Sequence, residues 1–161
     1  MSELRVERRG AALVLTIDRE ERRNSLNEAV LLGLRDGLSQ AAGDPEVRAV
    51  VITGAGDRVF CAGGDLKPGA DGAPFTTEPS ELDSPVAQLF LAMERSAIPI
   101  VARVNGHALG GGFGLMCACD FAIVADGAKL GTPEVKVGLV PLTILPGMMR
   151  VVPRRKLAEL C

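Results

Sequence analysis

The chain has 161 residues, with 18 basic and 20 acidic side chains and a formal charge of −2. This balance excludes a nucleic-acid binder that works through bulk positive charge. An aromatic content of 3%, with no Trp or Tyr, supplies no stacking platform, whereas 47% hydrophobic and 24% charged residues fit a folded domain.

Residues 3–8 and 11–17 read as two strands joined at Gly10. The second is almost wholly apolar, as in a strand covered on both faces. Arg8 and Arg9 before this run imitate a signal peptide, but Glu3, Glu7 and Asp18 and the lack of a small-x-small cleavage site favour a buried strand. Asn27 caps an expected helix over 28–42, with Val30, Leu31, Leu34, Leu38 and Ala41 at spacings of three and four. A strand over 47–53 follows, ending at Gly54-Ala55-Gly56, and then a short strand around Val59-Phe60-Cys61. The Pro- and Gly-rich stretch 68–83 reads as a mobile surface loop. A helix over 85–96, a strand over 98–104, a glycine-rich segment and a small-residue helix to about Cys119 come next. Residues 120–125 read as a strand, and 129–131 as a short one. Pro133-Glu134 opens a turn or short helix, and residues from Ile144 read as helical to the end. Alternating strands and helices imply an α/β fold, and no sequence repeat has a fixed period. Pro153 to Cys161 starts an amphipathic helix without a stop signal, so the chain reads as ending within an element.

Cys61, Cys117, Cys119 and Cys161 form no C-x-x-C pair and no zinc spacing, so they read as reduced thiols of a cytoplasmic protein. No apolar run reaches the ~18 residues that span a bilayer, so no membrane partner is expected. Gly54-Ala55-Gly56 starts like a dinucleotide fingerprint, but extended Val59-Phe60-Cys61 stands where a helix should open. A tight turn is the better reading. Ala62-Gly63-Gly64-Asp65 and Gly110-Gly111-Gly112 each follow an apolar strand closely. They are either simple turns or loops whose N–H groups converge as an oxyanion hole. Glu134 is either a first-turn helix acid after a proline or a general base raised by apolar surroundings. Asp120 reads as structural. His107, the lone histidine, reads as a loop or packing residue with no assignable nucleophile beside it.

Four blocks in order then carry a resemblance over nearly the whole chain. They are Arg22 to Asn27, Val59 to Lys67, Pro99 to Gly112 and Leu130 to Pro141. Together they resemble the crotonase, or enoyl-CoA hydratase/isomerase, family. The resemblance implies one crotonase-like core domain over 1–161, a spiral of ββα units that binds an acyl-CoA thioester. It implies that the Gly64 and Gly111 N–H groups hold the thioester oxygen and that Glu134 is the catalytic acid/base. Arg23, Ser25, Leu26, Ala62, Asp65, Leu66 and Lys67 are implied to flank the coenzyme A moiety with the two glycines. Coenzyme A is then part of the substrate, and no metal or separate cofactor is expected.

Family hydratases with two catalytic glutamates carry one in a G-G-G-x-E pattern, and here that place is Gly114. A single glutamate leans toward double-bond isomerisation, though one carboxylate can also serve hydration by acting twice. The resemblance further implies that the C-terminal helices that cover the acyl pocket and build a trimer, or a dimer of trimers, are missing, leaving an apolar face over 142–161. The alternative is therefore a non-catalytic acyl-CoA-binding or subunit-interaction module.

Overall fold

The computed structural model describes residues 3–65, 84–138 and 140–160. Its elements follow a repeated scheme. β1 (Leu4–Arg9) and β2 (Ala12–Ile17) lead into α1 (Glu28–Gly43). β3 (Ala49–Gly54) and β4 (Val59–Cys61) precede α2 (Pro85–Glu94), and β5 (Ile100–Val104) and β6 (His107–Leu109) precede α3 (Gly111–Ala118). β7 (Phe121–Val124) and β8 (Leu130–Gly131) lead into a 3-10 turn at Pro133–Val137, then α4 (Leu145–Val151) and α5 (Arg154–Leu160).

Two sheets sort these pairs. The larger has the order β1-β2-β3-β5-β7 and the smaller β4-β6-β8. Among the described residues only the β1–β2 pairing is antiparallel; Ile17 aligns with Gly54 across β2–β3, and Val50 with Ile100 across β3–β5. From β3 onward each unit therefore gives its first strand to the large sheet and its second to the small one. This is a ββα spiral without a sequence repeat, because the connections between units differ in length.

The core lies between the large sheet and α1, α2 and α3. Leu15, Ile17, Val50, Ile52, Ile100 and Leu89 are fully buried in it. Each such side chain contributes about 1.5–3 kcal/mol when removed from water. Asn27 Oδ1 accepts the Val30 N–H at 3.0 Å and starts α1. A Cβ on Gly37 would stand 2.6 Å from Leu15 Cδ2, so glycine there lets α1 lie close against β2. Ser84 caps α2 through the Ala87 N–H, with Pro85 in the first turn.

Two differences from the sequence reading stand out. The segment after Val104 holds a strand, β6, whose three residues pair with β4 and β8 far away in the chain. The helix expected from Ile144 onward is broken, because Val152 adopts extended backbone (φ −103°, ψ 126°) before Pro153. In agreement with the sequence reading, Gly54-Ala55-Gly56 is a turn that closes β3 and leads to β4, and the side chains of Asn24 and Asn105 tie it down. The loop expected over 68–83 lies outside the described residues. Among the described residues no helix is long and apolar enough to cross a membrane.

Candidate active site

The site is assembled where two strand-to-loop exits meet. β4 and β6 are parallel neighbours, so the segments leaving their carboxyl ends, Ala62–Asp65 and Gly110–Gly111, emerge side by side. Their contact is tight at Gly63, where a Cβ would sit 3.1 Å from the Gly111 nitrogen, whereas one on Gly111 would make ordinary contact, 3.5 Å from the Gly64 nitrogen. Gly63 (φ +98°) and Gly110 (φ +54°) also take left-handed backbone.

Each loop engages one N–H and leaves the next one open. Gly63 N–H points at Cys61 Sγ at 3.5 Å, and Gly110 N–H donates to Gly131 O at 2.9 Å. Leu26 and Gly64 form a parallel bridge in which Leu26 N–H donates to Gly63 O and Asp65 N–H to Leu26 O, both at 2.8 Å. That pattern turns the Gly64 N–H away from Leu26. Gly111 opens α3, where first-turn N–H groups have no partner within the helix. Among the described residues, no acceptor reaches the Gly64 or the Gly111 N–H.

Glu134 stands at the same helix start. Its Oε1 lies 2.9 Å from where a Gly110 Cβ would be, so any side chain at 110 would displace it. Its Oε2 is buried with no hydrogen-bond partner among the described residues. Burial raises the carboxyl above its ordinary value of 4.5, offset in part by its own backbone N–H. The segment before it is fixed by β8 pairing with β6 and by the Thr132 hydroxyl, which donates to Leu160 O.

The first loop rests on a buried cation that the sequence reading missed. Arg19 is 6% exposed. Its guanidinium donates to Ser25 O at 2.7 Å, Ser25 Oγ at 3.0 Å, Asp65 Oδ2 at 2.9 Å and Glu3 Oε1 at 3.1 Å. The chain around it turns through left-handed Arg23 and Asn24. No local signal marks Arg19, because its acid partners come from before β1 and after β4.

The expected coenzyme A residues divide accordingly. Ser25 is buried and Asp65 half-buried, both with side chains on Arg19, and Leu26 is buried with Cδ1 near Gly111. Arg23 is exposed, and its carbonyl accepts the Ala62 N–H at 3.1 Å. Leu66 and Lys67 lie outside the described residues. His107 Nδ1 accepts the Lys129 N–H and Asp120 Oδ2 accepts the Ile100 N–H, at 3.0 and 2.8 Å, so both hold backbone. Cys61 is fully buried, and burial pushes its thiol up to about 12 despite the Gly63 N–H and Arg19, so it is no nucleophile beside the glycines.

Gly114 has a different neighbour. A Cβ there would overlap Ile144, which packs with Phe113, Cys117 and Met148. The sequence reading matched this position to the first acid of a two-glutamate hydratase; here an aliphatic side chain stands against it.

A family model for enoyl-CoA hydratase/isomerase matches residues 7–161. The chain belongs to the enoyl-CoA hydratase/isomerase family. It is 42% identical over 129 residues to a crotonyl-CoA hydratase of Syntrophomonas wolfei, a match covering 80% of this chain and 48% of that protein. It is 38% identical over 141 residues to a 2,3-dehydroadipyl-CoA hydratase of Escherichia coli, covering 88% and 53%. The structure of a carnitinyl-CoA dehydratase from Mycobacterium avium superposes with a TM-score of 0.84 at 39% identity, over 99% of this chain and 62% of that one. The chain thus spans about half the length of the curated relatives it matches. This family membership accounts for the ββα spiral.

Proposed function

We propose that the chain carries the catalytic core of an enzyme acting on enoyl-CoA thioesters, with Gly64 and Gly111 N–H as the oxyanion hole and Glu134 as the acid/base. One observation carries the reading: two open N–H groups from adjacent loops lie beside a carboxylate whose proton affinity is raised by burial.

The chemistry fits that set. Removing a proton next to a thioester carbonyl moves an electron pair onto the carbonyl oxygen. Adding hydroxide to the β-carbon of a conjugated enoyl thioester loads the same oxygen. A fixed N–H donor there stabilises the transition state by about 3 kcal/mol. A carboxylate with raised pKa takes a proton and gives it back near neutral pH more readily than an ordinary one. Arg23, Ser25, Leu26, Ala62, Asp65, Leu66 and Lys67 would line the coenzyme A approach. For Ser25 and Asp65 the main chain is the better candidate contact, since their side chains serve Arg19.

The test is a panel of 2-enoyl- and 3-enoyl-CoA substrates with wild type and Glu134→Gln, following the conjugated absorbance and identifying products. Glu134→Gln is expected to lose 10²–10⁴-fold in turnover, the usual range for a general acid/base, with acyl-CoA binding retained. Full turnover in that variant removes Glu134 from the mechanism. The exposed apolar side chains of β7 and α4 favour a second reading, a subunit-interaction module that binds acyl-CoA without turning it over. Binding by wild type with no turnover on any member of the panel would favour it.

A further inference from the structure

The turn behind the first loop is held at both of its ends by one residue. Arg22 N–H and Asn24 N–H donate to Arg19 O, each at 2.9 Å, and Arg19 N–H donates to Asn24 Oδ1 at 3.1 Å, so the Arg19 main chain starts the turn. Its guanidinium then reaches across to where the turn ends. Nη1 donates to Ser25 O and Oγ, and Nη2 to Asp65 Oδ2. Ser25 precedes Leu26 and Asp65 follows Gly64, so one guanidinium holds both segments of the Leu26–Gly64 bridge, beside the peptide whose N–H stays open. Arg23 and Asn24, within the turn, take left-handed backbone (φ 54° and 52°), which non-glycine residues keep only where their surroundings impose it. The loop side of the guanidinium is also its buried side. The Arg19 and Asp65 side chains are 7% and 14% exposed, against 37% for Glu3.

We propose that Arg19 is the positioning residue of the oxyanion hole: by clamping Ser25 and Asp65 it sets the direction of the Gly64 N–H, while the Gly111 N–H is set separately by the start of α3. The proposal rests on the enoyl-CoA reading above. A donor stabilises a developing oxyanion when it is aimed there beforehand, because no reorganisation is then needed as the charge forms. A planar guanidinium suits this task. Its fork presents several N–H groups at fixed angles, and a lysine ammonium has no such fork. The second loop is fixed by other bonds, Gly110 N–H to Gly131 O at 2.9 Å and Gly114 N–H to Gly110 O at 3.0 Å, and neither involves Arg19. The two donors are therefore separable by mutation.

The experiment compares wild type with Arg19→Lys, Asp65→Ala, Asp65→Asn and Glu3→Ala. Amide ¹⁵N relaxation and chemical shifts of Gly64 and Gly111 are read by NMR without ligand. The absorption band of bound 2,4-hexadienoyl-CoA is read next, because it moves to longer wavelength as N–H donors polarise the thioester carbonyl. Melting temperature is followed in parallel. Arg19→Lys and Asp65→Ala should loosen the Gly64 amide, leave the Gly111 amide as in wild type and lose at least half of the band shift. Asp65→Asn keeps an acceptor for Nη2 and should stay closer to wild type than Asp65→Ala on both readouts. Glu3→Ala removes acceptors of Nε and of Asn27 on the side away from the loop. It should lower the melting temperature and move neither the Gly64 amide nor the band. The Asp65 pair answers the question if Arg19→Lys does not fold. Gly64 and Gly111 amides that change together, in step with melting temperature across all the chains, would make Arg19 merely structural and overturn the proposal. So would a Gly64 amide unchanged in Asp65→Ala. A Gly64 amide that responds as expected, in a wild type that binds the dienoyl-CoA without any band shift, removes the oxyanion-hole reading and leaves only the hold of Arg19 on the Gly64 peptide.

Discussion

Two ionisable side chains, buried Arg19 and half-buried Glu134, stand beside the two loops of the site, and the fold treats them in opposite ways. Arg19 is met by Glu3, Ser25 and Asp65, which take up donors on all three guanidinium nitrogens. Glu134 keeps an oxygen with no partner among the described residues. A buried charge that is fully bonded fixes structure. One left short of partners has a shifted proton affinity and is free to bond something else. The first loop is thus held by ionic geometry, and the second places an unsatisfied group next to two open N–H donors.

The sharpest way to break this contrast is to remove the bonded charge. Arg19→Ala takes the guanidinium from Asp65 and from the buried hydroxyl and carbonyl of Ser25. The expected loss is about 3–5 kcal/mol, the range for breaking a buried pair on one side. Arg19→Lys should recover only part of it, since a single ammonium cannot reach the same fork of acceptors. Urea unfolding followed by circular dichroism measures both. A loss below about 1 kcal/mol would place Arg19 with exposed ion pairs and remove the contrast.

The second loop depends on packing rather than charge. Gly114→Ala forces a methyl into Ile144 and should cost about 1–3 kcal/mol. Ile144→Ala costs stability by itself, through the cavity it leaves. Combined, the two should cost less than their sum, because the smaller residue relieves the overlap. A double variant whose loss equals the sum would mean that the two positions do not press on each other.

Much of this was legible in the sequence. β2 and α1 announce themselves by an apolar run and by periodic Val30, Leu31, Leu34 and Leu38 after a capping Asn27, signals that need only local information. The glycines at 64 and 111 and the acid at 134 stand in blocks that resemble a known family. What stayed hidden is non-local. β6 is three residues long and exists because β4 and β8 flank it. The Arg19 network joins residues from three separate segments. The apolar plug at Gly114 depends on Ile144, which lies thirty positions on and touches it only in the fold.

The pH dependence of stability separates the two charges in another way. A glutamate whose folded pKa is raised binds its proton more readily in the native state. Its contribution to stability is full below the ordinary value of 4.5 and is lost as pH rises through the raised value. Wild type should therefore lose stability relative to Glu134→Gln over that window and keep a constant deficit above it. Melting temperatures of the two chains from pH 4 to 8 give the difference directly. A gap that does not change with pH would mean that Glu134 titrates as it does in the unfolded chain.

The smallest expected effect on stability lies at the edges of the large sheet, where bonded and unbonded groups contrast once more. β1 carries Arg5, Glu7, Arg8 and Arg9, with ion pairs from Arg5 to Asp18 and from Arg8 to Asp44 at 2.8 and 2.7 Å. Charge of this kind keeps an edge strand from pairing with other chains. β7, at the other edge, shows Phe121 at 64% exposure and Ile123 at 69%, and its four residues include no charge. An exposed apolar edge promotes association. Ile123→Lys should shift the unfolding free energy by no more than about 0.5 kcal/mol, because the side chain touches little. The same change should lower the concentration-dependent light scattering of the chain. Glu7→Ile on β1 is the converse and should raise scattering, if charge is what protects that edge. If both variants scattered as wild type does, the cause of association would lie away from the strand edges, in the exposed Leu142, Met149 and Val151 around α4.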